Sequence, residues 1–357
     1  MAYTAIDKPS DYFVSNLHTG TGSSNAISGI GFAPDWVWIK NRGATGHHML
    51  FDKVRGATKV LYSDITDAET TVSGHLTSFD SDGFTLGNND GKGSTNGNTE
   101  TYVAWNWKAE TSFTNDASST SIGSIDSAGN VNDTAGFSIV SFTGNGSSGA
   151  TMKHGLSTAP KIIMAKNRSR TADWLVFSSS MSSNGDFALF LQSTSAKDNS
   201  QDYWGDTAPT SSVFSVGNRQ ENNQSGEDII AYCFSERKGY SKFESYIGNG
   251  NVDGAFIFTG FKSAFVLIKR TSGTGGWFMF DNKRDTFNLT SRSLQADVNG
   301  AENNYTAADT MNLDILSNGF KLRSTDGAVN RSGDSYIYMA FAENPFVTST
   351  GVPATAR

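Results

Sequence analysis

Cysteine is almost absent from this sequence, since Cys233 is the only one among 357 residues. A single thiol forms no disulfide within the chain and supplies no cysteine-based metal site. Basic clusters are missing as well, because no run of Lys or Arg occurs and the net charge is −7. This acidic balance argues against a protein that binds the phosphate backbone of nucleic acids or an anionic membrane surface.

Long apolar runs and a leader are lacking too. No stretch approaches the ~18 consecutive apolar residues of a membrane helix, and the first eight residues have neither the basic nor the apolar region of a signal peptide. We therefore expect a soluble chain made in the cytoplasm. Charged residues reach only 18%, whereas 37 glycines and 12% aromatics favour short β-strands joined by tight turns.

One motif recurs three times along the chain. An apolar strand ends at Lys40, Lys166 and Lys269, and eleven residues after each lysine comes a phenylalanine, at 51, 177 and 280. A second apolar strand closes each unit, at 102–107, 229–234 and 336–341. Equal spacing without gaps indicates an internal repeat.

The repeat predicts the domain organisation. Repeat 1 spans 1–110, a polar linker 111–135, repeat 2 136–239, repeat 3 240–346, and a C-terminal tail 347–357. Because no comparable linker separates repeats 2 and 3, we expect those two to pack rigidly and repeat 1 to be joined more loosely. The repeats differ most at 51–84, 177–214 and 280–320, so these segments are predicted to carry the specific contacts.

The pattern within each repeat indicates an all-β fold. Runs such as 229–234 are apolar at consecutive positions, which is typical of strands buried on both faces. Asn-Gly and Asp-Gly pairs supply hairpin turns, and Ala301–Ile315 is the best candidate for a short helix. A repeat of about 100 residues is the size of one antiparallel β-sandwich, so we predict three tandem sandwiches.

Five longer sequence segments resemble a known family. They are residues 31–42, 78–84, 102–109, 239–243 and 337–346. They resemble a domain of unknown function that is widespread in tailed phages, especially marine ones. The resemblance implies a virion structural protein, often labelled tail-fibre-like, with concanavalin-like or laminin-G-like sandwiches. It carries no catalytic assignment.

An oxygen-rich cluster is the candidate metal site. Asp80, Asp82 and Asp90, with Asn88 and Asn89, offer the oxygen ligands that Ca²⁺ prefers. The matching stretches of repeats 2 and 3 lack paired carboxylates, and Asx-rich turns account for the same residues without a metal. Calcium is the one cofactor that the sequence suggests.

Two other features have both a binding and a structural interpretation. Tyr203 and Trp204 lie in a polar segment, so an exposed ring could stack on a sugar or contact a protein; alternatively, both rings fold over the sandwich edge. Lys40, Lys166 and Lys269 form either a charged ring that grips a partner or a set of solvated strand ends.

Enzymatic activity is not expected. The sequence has no Gly-x-Ser-x-Gly elbow, only five histidines, and acidic residues that lie mostly in turns. The nearest carboxylate candidates for hydrolysis are Glu221, Glu227 and Asp228. The adjacent His47 and His48 would point to opposite faces of a strand, which disfavours a shared zinc ion.

The sequence therefore predicts a non-enzymatic phage protein, located in the virion and associated with the tail. We expect a fibre or receptor-binding component that contacts other virion proteins or a host-surface glycan, without nucleic-acid binding or membrane insertion. It is expected to form a homo-oligomer, a trimer by analogy with tail fibres. The alternatives are a capsid decoration or tail-adaptor protein and, third, a polysaccharide-degrading tailspike.

Overall fold

Strands dominate the computed structural model, which describes residues 3–88, 94–304 and 311–353. A one-turn 3₁₀ helix at Pro9–Asp11 precedes the first strands. The strands fall into three regions, numbered after the three repeats. Region 1 contains nine strands in its described residues: β1 (Phe13–Thr19), β2 (Asn25–Ser28), β3 (Trp36–Asn41), β4 (Met49–Asp52), β5 (Lys59–Tyr62), β6 (Thr70–Thr71), β7 (Leu76–Asp80), β8 (Gly83–Leu86) and β9 (Thr101–Trp107). They form a large antiparallel sheet, ordered β1-β9-β3-β4-β5-β6, and a small one, β2-β8-β7.

The segment 111–135 joins the next sheet and is not a linker. It forms β10 (Thr111–Asn115), α1 (Ala117–Thr120) and β11 (Ser127–Asn132). Its Ser, Thr and Asn side chains resemble those of a loop, but β10 is an edge strand with mostly exposed positions, where polar residues fit. The Asp116 carboxylate caps α1 by accepting the Ser119 N–H at 3.0 Å.

Region 2 continues with seven strands and one helical turn: β12 (Phe137–Thr143), β13 (Ala150–Lys153), β14 (Ile162–Asn167), β15 (Trp174–Ser178), β16 (Leu189–Phe190), β17 (Val213–Val216), α2 (Gln220–Asn223) and β18 (Asp228–Phe234). Its large sheet has the order β10-β11-β12-β18-β14-β15-β16, and β13 pairs with β17.

Region 3 contains the last nine strands: β19 (Ser241–Ile247), β20 (Phe256–Phe258), β21 (Phe261–Arg270), β22 (Trp277–Asp281), β23 (Arg292–Gln295), β24 (Asn303–Asn304), β25 (Leu313–Leu316), β26 (Gly319–Leu322) and β27 (Ser335–Pro345). The large sheet is ordered β19-β27-β21-β22-β23-β24 and the small sheet β20-β26-β25, which is the strand order of region 1. The described residues of the expected helix at Ala301–Ile315 are not helical, since they include β24 and most of β25, and residues 305–310 lie outside the described residues.

Both faces of the large sheets are buried, as the consecutive apolar residues predicted. In β3, Trp36 and Trp38 belong to one hydrophobic cluster, whereas Val37 and Ile39 belong to another. The second cluster lies between the large and small sheets of region 1, so the fold is an all-β sandwich. The first, here called the central core, draws residues from all three regions.

The central core means that region 1 is not loosely attached. Trp36 stacks on Tyr232 of region 2, with ring centroids 4.5 Å apart, and Phe13 stacks on Phe341 of region 3 at 5.0 Å. These contacts between regions could not be predicted from the sequence, because a strand pattern shows that a face is buried but not which sheet covers it.

The two ends of the described chain lie side by side. The rings of Tyr3 and Phe346 meet edge to face, with centroids 6.1 Å apart, and the Ser349 N–H donates to the Asp7 carboxylate at 2.6 Å. No helix in the described residues is long and apolar enough to cross a membrane.

Candidate functional site

The three repeated lysines are buried and bind the neighbouring region. Lys40, Lys166 and Lys269 all have no measurable exposure. Each terminal Nζ donates to backbone carbonyls, and each reaches one loop of another region: Lys166 to Thr66 of region 1 at 3.1 Å, Lys269 to Thr194 of region 2 at 3.1 Å, and Lys40 to Asn299 of region 3 at 3.4 Å. Neither a solvated strand end nor an outward-facing charged ring describes these lysines.

The three contacts close a ring of regions, and we call them seams 1–2, 2–3 and 3–1. At every seam the same loop position also accepts a backbone N–H: Thr66 from Ala172, Thr194 from Gly275, and Asn299 from Gly46. Burial lowers the pKa of each lysine to about 8. Nearby carboxylates oppose this shift, among them Asp64 for Lys40, Asp173 for Lys166 and Asp297 for Lys269.

Seam 1–2 also holds a buried ion network. Arg55 donates to Asp52 at 2.5 Å, and both side chains are fully buried. Tyr232 of region 2 donates its hydroxyl to the same carboxylate at 2.6 Å. Glu69 accepts from Arg55 at 3.2 Å and from Arg168 of region 2 at 2.9 Å, which joins the two regions a second time.

Seam 3–1 repeats this arrangement with other residues. Arg284 donates to Asp281 at 2.6 Å, again with both side chains fully buried. Trp105 of region 1 takes the place of the tyrosine and donates its Nε1–H at 3.1 Å. Glu302 accepts from Arg284 at 3.3 Å and from Arg42 of region 1 at 3.0 Å.

Seam 2–3 has no ion network at these positions. Ser178 and Met181 stand where the other seams have the buried Asp and Arg, and Met339 of region 3 stands where they have Tyr232 or Trp105. Met181 and Met339 both belong to the central core. Lys197 occupies the position of Glu69 and Glu302. Its backbone N–H still donates to the next region, to the carbonyl of Thr271 at 3.1 Å.

Each region also contains a buried asparagine that was not among the residues predicted from the sequence. Asn96, Asn223 and Asn330 are fully buried, and each accepts two backbone N–H groups from a glycine-rich turn, which follows β1, β12 or β19. All three lie six residues before the closing strand positions 102, 229 and 336. That constant spacing is the signal that would have revealed them.

The candidate calcium residues are engaged in turns where they are described. Asp80 accepts hydrogen bonds from Ser78 and Thr85, and Asp82 accepts the backbone N–H groups of Gly29 and Gly31. Asp90, the third carboxylate, lies outside the described residues. Within the described part of the chain, no three His, Cys, Asp or Glu side chains converge as metal ligands, and calcium binding stays a prediction.

Tyr203 and Trp204 are both buried. Trp204 is 1% exposed and packs edge to face on Phe177, and the Tyr203 hydroxyl donates to Asp198. Desolvation raises the pKa of Tyr203 to about 12. Neither ring offers a free face for stacking in this conformation, which corresponds to the structural interpretation of the pair.

The acidic and histidine candidates are used in structure as well. Glu227 accepts from Asn167 at 2.7 Å, and Asp228 accepts from Thr143 at 3.2 Å. His47 pairs with Asp64 at 2.6 Å, while His48 is buried and accepts the indole N–H of Trp38 at 2.9 Å. The two imidazole rings therefore have different partners, in keeping with opposite faces of the chain, while the His48 backbone N–H also donates to Asp64 at 3.0 Å.

An open cleft of about 300 Å³ lies where β1 meets region 3. Lys8, Lys283 and Glu343 are its charged lining residues, and the buried Phe13 and Ile30 form its apolar floor. The Ser15 hydroxyl, on a residue only 3% exposed, lines the cleft without a hydrogen-bond partner among the described residues. A cleft with an apolar floor and a few polar groups is the usual form of a ligand site.

The comparisons with known proteins identify a family. A family model described as "Domain of unknown function (DUF7483)" matches residues 8–345. The chain belongs to this family. The match extends over all three regions. Neither the search of curated proteins nor the search of solved structures found a match.

Proposed function

We propose that the protein is a non-enzymatic structural and binding component of a phage particle, attached to the tail. The observation that carries this proposal is the closure of three sandwiches into one ring around a central core. Buried lysines and ion networks hold neighbouring regions together at the seams, so the outer surfaces keep a fixed spacing. A rigid body with three similar outer surfaces strengthens weak contacts by effective concentration.

The buried polar groups also support a structural role. The lysines, arginines and acids of the seams pair with each other or with backbone groups, and Arg55, Asp52, Arg284 and Asp281 are shielded completely from solvent. Groups held in this way stabilise one arrangement of the chain and are not available to a substrate. The resemblance of the five longer sequence segments to tailed-phage proteins supplies the virion context.

Localisation on intact particles tests the proposal. Antibody labelling in electron microscopy is expected to place the protein on the distal tail. Labelling of the capsid surface would favour the decoration role instead, and particles without label would overturn the proposal.

The cleft beside β1 is the place where we expect a host-surface ligand. Lys8 is paired with Asp11 and Glu343 with Lys262, so Lys283 is the lining charge that favours an anionic sugar. Binding of the purified protein to acidic glycans on an array should therefore fall when Lys283 is changed to Glu. Lys153→Glu is the matched control, because this partly exposed lysine lies on β13 of region 2, whereas the residues that line the cleft belong to regions 1 and 3. Equal binding by both variants would remove the cleft from the proposal but leave the virion role untouched.

A further inference from the structure

The free edge of β20 differs from the corresponding edges of the other two regions. The outward residues of β2 are Ala26 and Ser28, and those of β13 are Thr151 and Lys153. In β20 the same positions carry Phe256 and Phe258, which are 46% and 53% exposed. Register confirms the correspondence, since Ile27, Met152 and Ile257 each oppose the equivalent phenylalanine, Phe84, Phe214 and Phe320.

Backbone groups as well as rings are exposed at this edge. The Ala255 carbonyl accepts from Leu322 and the Thr259 N–H donates to Asn318, so alternate residues of the strand face β26. The N–H and C=O groups of Phe256 and Phe258 therefore point away from the sheet. Since β20 is the last strand of its sheet, these groups form an open template for another strand.

Region 2 shows how such an edge is covered. Residues 123–125 lie along β13, where the Thr151 carbonyl accepts the N–H groups of Ser124 at 2.8 Å and Ile125 at 3.1 Å. The Thr151 N–H donates to the Ser124 hydroxyl at 2.9 Å. Phe256 is the counterpart of Thr151, but no described segment of the chain covers it.

We propose that β20 pairs with β20 of a second copy of this chain, antiparallel and centred on Ile257. The sequence Phe-Ile-Phe reads the same in both directions, so Phe256 of each copy lies opposite Phe258 of the other. The four outward backbone N–H groups then meet four carbonyls, and four rings cluster on one face. Such a contact is isologous, with the same patch on both copies.

The lack of charged side chains at this edge favours a second copy of the chain as the partner. Residues 254–261 carry no charged side chain, so two copies meet here without like-charge repulsion, although each chain has a net charge of −7. Charged residues are what usually protects an edge strand from pairing, and Lys153 occupies this position in region 2.

The buried area sets the strength of the contact. Four half-exposed rings bury about 400 Å², well below the ~1,200 Å² of a stable independent dimer. The pairing is therefore weak in dilute solution and concentration-dependent, and it strengthens where an assembly holds copies close together.

Sedimentation velocity of the full chain from about 10 μM to about 1 mM tests the pairing. The wild type is expected to shift toward dimer as the concentration rises. Phe256→Ala with Phe258→Ser, which installs the residues of region 1, should raise the dissociation constant at least ~tenfold, because two cross-strand aromatic pairs are lost. Phe287→Ser is the matched control, since this ring is 78% exposed but lies on no strand.

Hydrogen exchange supplies a second, local measurement. The amides of Phe256 and Phe258 should become protected at high concentration in the wild type but not in the double variant. A wild type that stays monomeric throughout, a dimer that survives the double substitution, or amides that never gain protection would each overturn the proposal.

Discussion

Seams 1–2 and 3–1 contain a buried ion network, whereas seam 2–3 closes with methionines at the corresponding positions. The substitutions occur together: Ser178 and Met181 replace the buried Asp and Arg, and Met339 replaces the hydroxyl or indole donor that faces them. What all three seams share is the buried lysine and the backbone bond at the next region's loop. The ion network is therefore one of two ways to fill the same space, and the lysine is the constant part of the closure.

Among the substitutions that test this comparison, removal of one charge from an ionic seam should lower the free energy of unfolding the most. Arg55→Met leaves Asp52 buried without its cation, and breaking a buried pair costs about 3–5 kcal/mol of the free energy of unfolding. Chemical denaturation measures the loss. Arg170→Met is the control, because Arg170 pairs with Glu227 while 38% exposed, and its cost should stay under about 1 kcal/mol. Similar losses for both would contradict a special role for the buried network.

A lysine substitution should matter even in the apolar seam. Lys269→Met leaves the carbonyls of Ser195 and Gly275 without the ammonium donor, while the Thr194 carbonyl keeps the Gly275 N–H, and the loss should cost about 2–3 kcal/mol. The pKa of about 8 in the folded protein lies below the 10.5 of a free lysine, so the unfolded chain binds more protons between these values. The stability due to Lys269 should then rise with pH from about 8 to about 10.5.

Thermal and denaturant unfolding at several pH values separate the two contributions. The deficit of Lys269→Met relative to wild type should be larger near pH 9.5 than near pH 7.5. A deficit that shrinks as pH rises would mean that the ammonium form is the one favoured by folding.

Exchange of one seam type for the other should have the smallest effect. The triple variant Asp52→Ser, Arg55→Met and Tyr232→Met gives seam 1–2 the residues of seam 2–3. Because apolar residues can replace a buried ion pair at little cost, its free energy of unfolding should lie within about 1 kcal/mol of wild type. A triple variant as unstable as Arg55→Met alone would show that the two seam types are not interchangeable.

The sequence allowed prediction of the strands but not of their closure into a ring. Alternating faces, hairpin turns and the repeated spacing around Lys40, Lys166 and Lys269 are local properties, and they indicate an all-β sandwich fold. The burial of these lysines depends on loops about 75 to 260 residues away in sequence, and no local pattern records such a contact. A lysine at a strand end is normally exposed, so the residue type alone predicted solvent exposure for side chains that are buried.

Some features of the candidate site were likewise predictable from the sequence, and others were not. The buried asparagines were predictable from spacing alone, since they keep a constant distance from the closing strand. The cleft beside β1 was not, because it arises where Phe13 of region 1 meets Ala264 and Lys283 of region 3. The exposed pair on β20 stands out only when the same position is compared in all three regions.

The adjacent ends of the chain have a mechanical consequence. Tyr3 lies against Phe346, and Asp7 holds Ser349, so the polypeptide enters and leaves the ring at one place. Tension applied to the two ends is borne first by these few contacts, and the three seams carry load only after they part. A pull on both ends that these contacts withstand therefore leaves the arrangement of the three regions undisturbed.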